Sequence, residues 1–441
     1  MNTLRFNAIA AALAASFSMS ATVAHAAAGD FDPSFGAGGF VMTAVQDLSG
    51  ADGLVIDGKN RVLVAGSSSN LALSTMSPTL LRYLPDGSVD TTFGDSGLGI
   101  AFVTPPSGVG GYADFCCVKL DSKNRIVAAG FTQLDSPAGG TQQVLTVVRF
   151  SEDGIVDRSF GTNGFITNVV AGGETLSLAQ SLALDASDRV IVGGATFDAS
   201  AIGTPVLIRY TADGALDHAF GKAGVVAIPE LGVFAPAPVG VAIDSAGHIV
   251  AAGSSLKLGS GEMTYVARYE VDGSADTTFG SDGSGIVEVD GATIQAFVLD
   301  DADRPVVAGM PIDGTNMGMM RFTSEGLADP AFGPDGSGIV TTPADTFITP
   351  HAIAIDKDGN IVMSALENDF SSPTSLDVLR YTADGLLDTS FGSDGIAKPE
   401  LPEGAVGNGV AIDAANTITI AGYATDDASG QFQLTAARLQ N

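Results

Sequence analysis

One motif recurs seven times along the 441-residue chain at a spacing near 59 residues, each copy carries four extended segments, and no helical periodicity follows the N-terminal segment. These three observations predict an all-β chain: a seven-bladed β-propeller of four-stranded blades, preceded by a signal peptide.

RYTADGLLDTSFGSDG, Arg380 to Gly395, illustrates the motif. Its FG phenylalanine recurs as Phe35, Phe93, Phe160, Phe220, Phe279, Phe332 and Phe391. A short extended run follows each FG, as in Gly164-Phe165-Ile166-Thr167; we call it strand A. Strands B and C form a hairpin, as in KLDSKNRIVAAG from Lys119 or AIDKDGNIVMSA from Ala354, with apolar runs flanking a polar turn that opens with Asp. Strand D is LLRY, VVRF, LIRY, VARY, MMRF, VLRY or AARL. Strand C is apolar at nearly every position, as expected when both faces of its sheet are covered by neighbouring blades.

Charge spacing favours a closed ring over a solenoid. An Asp follows each internal strand D Arg by eight residues, as in Arg82 to Asp90 and Arg380 to Asp388. Arg438 has no Asp after it, and Asp32 has no Arg before it. The two ends complement each other, so the last strand is expected to dock beside the first segment. A solenoid would call for polar capping repeats instead. The Arg–Asp pairs read as structural ion pairs, and the repeated Phe as a plug between blades.

Residues 1–26 read as a secretory signal: Arg5, an Ala-rich apolar run, then Ala24-His25-Ala26. Residues 27–441 are expected to form one propeller domain, secreted or periplasmic, monomeric, and without membrane insertion. Removing Arg5 leaves 19 basic against 50 acidic residues, a net charge of −31. That charge disfavours nucleic acid and anionic membrane and leaves a cation as a conceivable partner. The two cysteines, Cys116 and Cys117, are adjacent and cannot staple the fold. A buried thiol pair, a strained vicinal disulfide and a metal site remain open readings.

The pattern RY-x2-DG-x2-D-x2-FG-x2-G, joined to a D-x3-[RN] hairpin ending in AG, resembles the delta-60 repeat family of secreted bacterial proteins. The resemblance covers nearly all of residues 27–441 and implies a β-propeller-like fold; it implies no activity and lends no catalytic residue. Glu325, Ala365 and Leu439 depart from the pattern.

Strand alternation puts the recurring B–C and D–A turns on one face and the irregular A–B and C–D segments on the other. Binding is expected on the irregular face. Its aromatics Tyr112, Phe197, Phe234, Phe370 and Tyr423 are the candidate ligand-binding residues, with Phe115, Phe347 and Phe432 in the same segments. No catalytic or metal-ligating motif is found, and the mature histidines are only His218, His248 and His351. No cofactor is expected; calcium is the one ion the Asp-rich turns at Asp300 and Asp356 could suit, although none completes a calcium loop. The expected function is a non-catalytic exported scaffold for a glycan, peptide or envelope protein. The alternative is a polysaccharide- or lactone-directed hydrolase or lyase with acids or a metal at the central channel.

Overall fold

A computed structural model describes residues 26–103, 112–135, 141–168, 176–197, 203–228, 239–257, 261–311, 317–342, 347–368, 375–402 and 404–441. Candidates Phe234 and Phe370 lie outside the described residues, as does nearly all of the signal segment.

The described strands form seven four-stranded antiparallel sheets. In blade 1 the order is B (Leu48–Ile56), C (Val62–Asn70), D (Thr75–Tyr83), A (Ile100–Phe102), from the channel outward. Strand A, short and outermost, pairs with the strand D that precedes it. The A–B connection then carries the chain inward to the next blade.

Blade 7 takes its strands B (Val406–Ile412), C (Ile418–Thr425) and D (Phe432–Leu439) from the C-terminal part and its strand A, Phe40–Thr43, from the N-terminal part. Phe40 pairs with Ala437 and Thr43 with Leu434. The seventh D–A turn is likewise assembled from two distant segments. Gly29 N donates to Gln440 O at 2.8 Å and Gln440 N to Asp30 O at 2.9 Å. The same bonds in blade 1 link Gly87 to Leu84 and Leu84 to Ser88.

All seven motif phenylalanines are fully buried. Each lies between one blade and the next, with a strand D guanidinium over its ring at 4.4–4.8 Å. Arg82 is typical. Its Nε donates to Asp90 Oδ2 at 2.8 Å, and its NH1 donates to Glu152 O in the D–A turn of blade 2. The turn glycine has two duties. Gly154 has φ +80°, and a Cβ there would come within 2.6 Å of the Phe93 ring. A left-handed turn and a neighbour's plug therefore exclude a side chain at one position.

Arg438 departs from its counterparts. It stacks over Phe35 and donates from NH1 to Pro85 O at 2.6 Å, but its Nε and NH2 are buried with no hydrogen-bond partner. The Asp32 backbone N bonds to Arg438 O at 2.8 Å, while the Asp32 carboxylate accepts from Ser34. Asp32 thus stabilises the Arg438 charge through space rather than through a direct bond. Strand pairing carries the closure.

Candidate functional site

Two places concentrate chemistry: the central channel and a ridge on the irregular face. The channel is walled by the seven B strands. In six blades strand B carries a bulge, with register breaks at Ala51/Gly53, Phe115/Cys117, Ala179/Ser181, Ile294/Ala296, Pro350/Ala352 and Gly407/Gly409. The inserted residues are Asp52, Cys116, Gln180, Gln295, His351 and Asn408; Val239, next to the first paired residue Gly240, holds the seventh place. All seven line a cavity of about 750 Å³. The residue after each is small: Gly53, Cys117, Ser181, Gly240, Ala296, Ala352 and Gly409. Neighbouring B strands crowd there; a Cβ on Gly53 would sit 3.2 Å from Cys116 O.

The bulge explains the glycine that ends most B–C hairpins. That residue faces the bulge from strand C, where a Cβ would come within 2.2 Å of a strand B carbonyl at Gly66, Gly130, Gly194, Gly309 and Gly422.

One side of the bulge ring is hydrogen-bonded across four blades. Asn408 Nδ2 donates to Asp52 Oδ1 at 3.1 Å and to Ala51 O at 3.0 Å. Its Oδ1 must then accept from His351 Nδ1, 3.2 Å away, which leaves His351 Nε2 as an acceptor. Burial holds the imidazole below its ordinary pKa, partly offset by Asn408. On the other side Asp52 is hydrogen-bonded to Asp114. Burial, then the Asp114 charge, push Asp52 up to about 7. Asp114 is also raised by burial, offset by Ser67, the Phe115 N–H and Asp52. Two buried carboxyls in contact share one proton, which Asp52 holds. Lys119 lines the same channel, and the surrounding wall lowers its pKa.

The ridge lies on the C–D hairpin of blade 7. Tyr423 and Phe432 meet edge to face, with centroids 5.1 Å apart. Phe432 is 47% exposed. The Tyr423 ring lies over Gly50 of blade 1, the nearest approach to a Cβ there being 3.4 Å. Depressions flank the pair on both sides. One, bounded by Leu366, Leu401, Val406, Asp426 and Asp427, runs toward blade 6; the other, bounded by Ser49, Ser67 and Ser69, runs toward blade 1.

The other expected aromatics are scattered. Tyr112 is 51% exposed at the start of blade 2 and is not joined to the ridge. Phe197 ends strand C of blade 3. Phe115 corrects the sequence reading: it is core, 1% exposed and edge-on to Phe150 at 6.3 Å. Sequence reasoning missed Asp52, Asp114 and Asn408, and treated His351 as isolated.

Among the described residues, His248, Glu270 and Asp276 form one group with metal-ligand spacing, their donor atoms within 4.8 Å of one another. Those donors are already engaged. His248 Nδ1 lies 2.7 Å from Asp244 Oδ2, and Arg268 Nε lies 2.6 Å from Asp276 Oδ2. His248 stands where Arg125, Arg189 and Arg304 bridge the B–C and D–A turns of their own blades. The Asp-rich turns use their carboxylates internally: Asp300 accepts from Ala302 N, Arg304 N and Arg304 Nε.

Residues 60–93, 186–220, 247–279 and 357–391 match the family model described as "Domain of unknown function (DUF5122) beta-propeller". No curated protein matches the sequence. Among solved structures the chain is similar to a protein of unknown function from Dyadobacter fermentans, at 11% identity and a TM-score of 0.46 over 91% of this chain and 98% of that one. It is also similar to the PQQ-bound aldose sugar dehydrogenase of Streptomyces coelicolor, at 15% identity and a TM-score of 0.41 over 90% and 98%. A puromycin hydrolase aligns at 12% identity and a TM-score of 0.48 over 93% of this chain and 56% of its own.

Proposed function

We propose that this protein is an exported, non-catalytic binding scaffold whose ligand, a glycan, seats on the Tyr423–Phe432 ridge. The observation that carries this reading is the half-buried Tyr423 set edge to face with the exposed Phe432, with a depression on either side whose rims include Ser69 and Asp427. Aromatic faces stack on the apolar face of a sugar ring, while hydroxyls and carboxylates take its hydroxyl donors. Export follows from the signal-like residues 1–26, and the delta-60 resemblance agrees with a secreted protein.

The test is a glycan array with the mature protein, repeated with Tyr423→Ala and Phe432→Ala. Each variant is expected to weaken binding at least about tenfold, the loss of one stacked ring. Unchanged binding in both variants, or binding only on a parallel peptide array, overturns the reading.

One observation favours a second reading, the hydrolase or lyase: the Asp52–Asp114 pair holds a carboxyl poised near neutral pH, as a general acid–base needs. Activity on a polysaccharide or lactone panel that Asp52→Asn abolishes would support it. An inactive wild type across the panel would dismiss it.

A further inference from the structure

Successive side chains on a strand point to opposite faces. Cys116 and Cys117 escape that alternation because strand B of blade 2 bulges between Phe115 and Cys117. Their sulfurs lie 2.6 Å apart, and both are within reach of one carbonyl, Ala129 O, at 3.4 and 3.8 Å. The fold does not call for sulfur here. Other blades put Asp52-Gly53, Gln180-Ser181 or Asn408-Gly409 at these two places, so the second position needs only a small residue. Both cysteines line the channel, away from the aromatic ridge.

We propose that Cys116 and Cys117 form a reversible thiol–disulfide site in the channel, serving low-molecular-weight disulfides. Both sulfurs lie on an inner strand that lines the channel, so a small disulfide that enters the channel meets them. Cys117, two residues from Lys119 on the same strand and lining the channel with it, is the sulfur assigned to attack. Its thiolate displaces one thiolate from the incoming disulfide, giving a mixed disulfide. The Cys116 sulfur then displaces the second. The incoming disulfide takes up two electrons and the two thiol protons and leaves as two thiols; the protein gains one S–S bond. Adjacent Cα atoms are only about 3.8 Å apart, shorter than most disulfides span, so the ring is strained and easily reduced. It therefore suits exchange rather than stapling.

The test uses the full mature protein and hydroxyethyl disulfide. After incubation and acid quench, the protein is denatured, treated with iodoacetamide and weighed intact. The expected product is lighter by two hydrogens, takes up no iodoacetamide, and recovers both reactive thiols after excess mercaptoethanol. A Cys116→Ser variant, which changes the thiol to a hydroxyl of nearly the same shape, is expected to trap the mixed disulfide on Cys117. Circular dichroism confirms that the variant folds. Two alkylatable thiols remaining in the wild type, a persistent mixed adduct, or a disulfide-linked dimer on a non-reducing gel would each overturn the proposal.

Discussion

Arg380 donates from NH1 to the Oδ1 of Asn441 at 2.7 Å, at the place where every other strand D arginine meets a backbone carbonyl of the next blade's turn. The Asn441 side chain thus stands in for the turn segment that the divided seventh blade lacks at that point. Its Nδ2 also donates to Asp356 Oδ2 at 2.8 Å. Asn441→Ala removes two bonds to charged groups and is expected to cost about 1–3 kcal/mol, read as a lower urea midpoint. Asn441→Asp keeps an acceptor for Arg380 but turns an anion toward Asp356, so it is expected not to restore stability. Full stability in the Ala variant would show the contact to be idle.

The Arg209 guanidinium lies 4.5 Å above the Phe220 ring while its Nε holds Asp217 at 2.8 Å. Phe220→Ala is expected to cost about 3–5 kcal/mol, cavity included. Arg209→Lys keeps the charge but cannot hold Asp217, the Val271 carbonyl and the ring face at once, and is expected to cost about 1–3 kcal/mol. Because the two groups touch, the double variant should lose less than the sum of the singles, a coupling of at least about 0.5 kcal/mol. Strict additivity would mean that ring and guanidinium act independently.

The blade count, the plug and the closure were legible because each rests on one residue type repeated in one place. Phe93 and Phe391 do the same job, and so carry the same letter. The bulge ring was hidden for the opposite reason. Asp52, Cys116, Gln180, His351 and Asn408 share a position but no chemistry, so no recurrence marks them. The signal lay on the partner strand, in the glycine facing the bulge. Phe115 was misplaced because strand B of blade 2 starts at Ala113, which draws into the core a residue that reads as loop. Arg438 and Asp32 were correctly read as neighbours, but spacing alone does not reveal that Arg438 Nε lacks the bond its counterparts make.

Gly130 faces the bulge that carries the cysteines, and a Cβ on it would lie 1.9 Å from Asp114 O. Backbone cannot yield there as a flexible side chain would. Gly130→Ala is expected to cost about 1–3 kcal/mol by overpacking and to disturb the Cys116–Cys117 approach. Blade 6 already has Ala365 at this place, opposite Pro350. Its strand has adapted to the methyl, so Ala365→Gly is expected to destabilise, by about 1 kcal/mol for the lost methyl and the added chain freedom. Thermal unfolding of both variants checks the pair; stabilisation by Gly130→Ala would refute the bulge account of the hairpin glycine.

Asp52 makes stability depend on pH in a direction opposite to the Arg-paired acids. Its carboxyl titrates near 7 in the folded protein against 3.8 when unperturbed. Below 3.8 both states hold the proton and the contribution is complete. Between 3.8 and about 7 the unfolded chain releases it while the folded one keeps it, so stability falls as pH rises. Asp377, raised to about 6 by burial, acts in the same sense over a narrower window. Asp90 and Asp276 are lowered, despite burial, by their threonine hydroxyls and arginines; their contribution is present above 3.8 and lost only in more acid solution. Asp52→Asn mimics the protonated form: its amide can accept from Asn408 and donate to Asp114. The variant is expected to match the wild type at pH 3 and to exceed it at pH 8, the gap opening by up to ~1.4 kcal/mol per pH unit between 3.8 and about 7. Calorimetry at the two pH values measures the difference. Parallel pH profiles for wild type and variant would mean that the Asp52–Asp114 pair holds no shared proton.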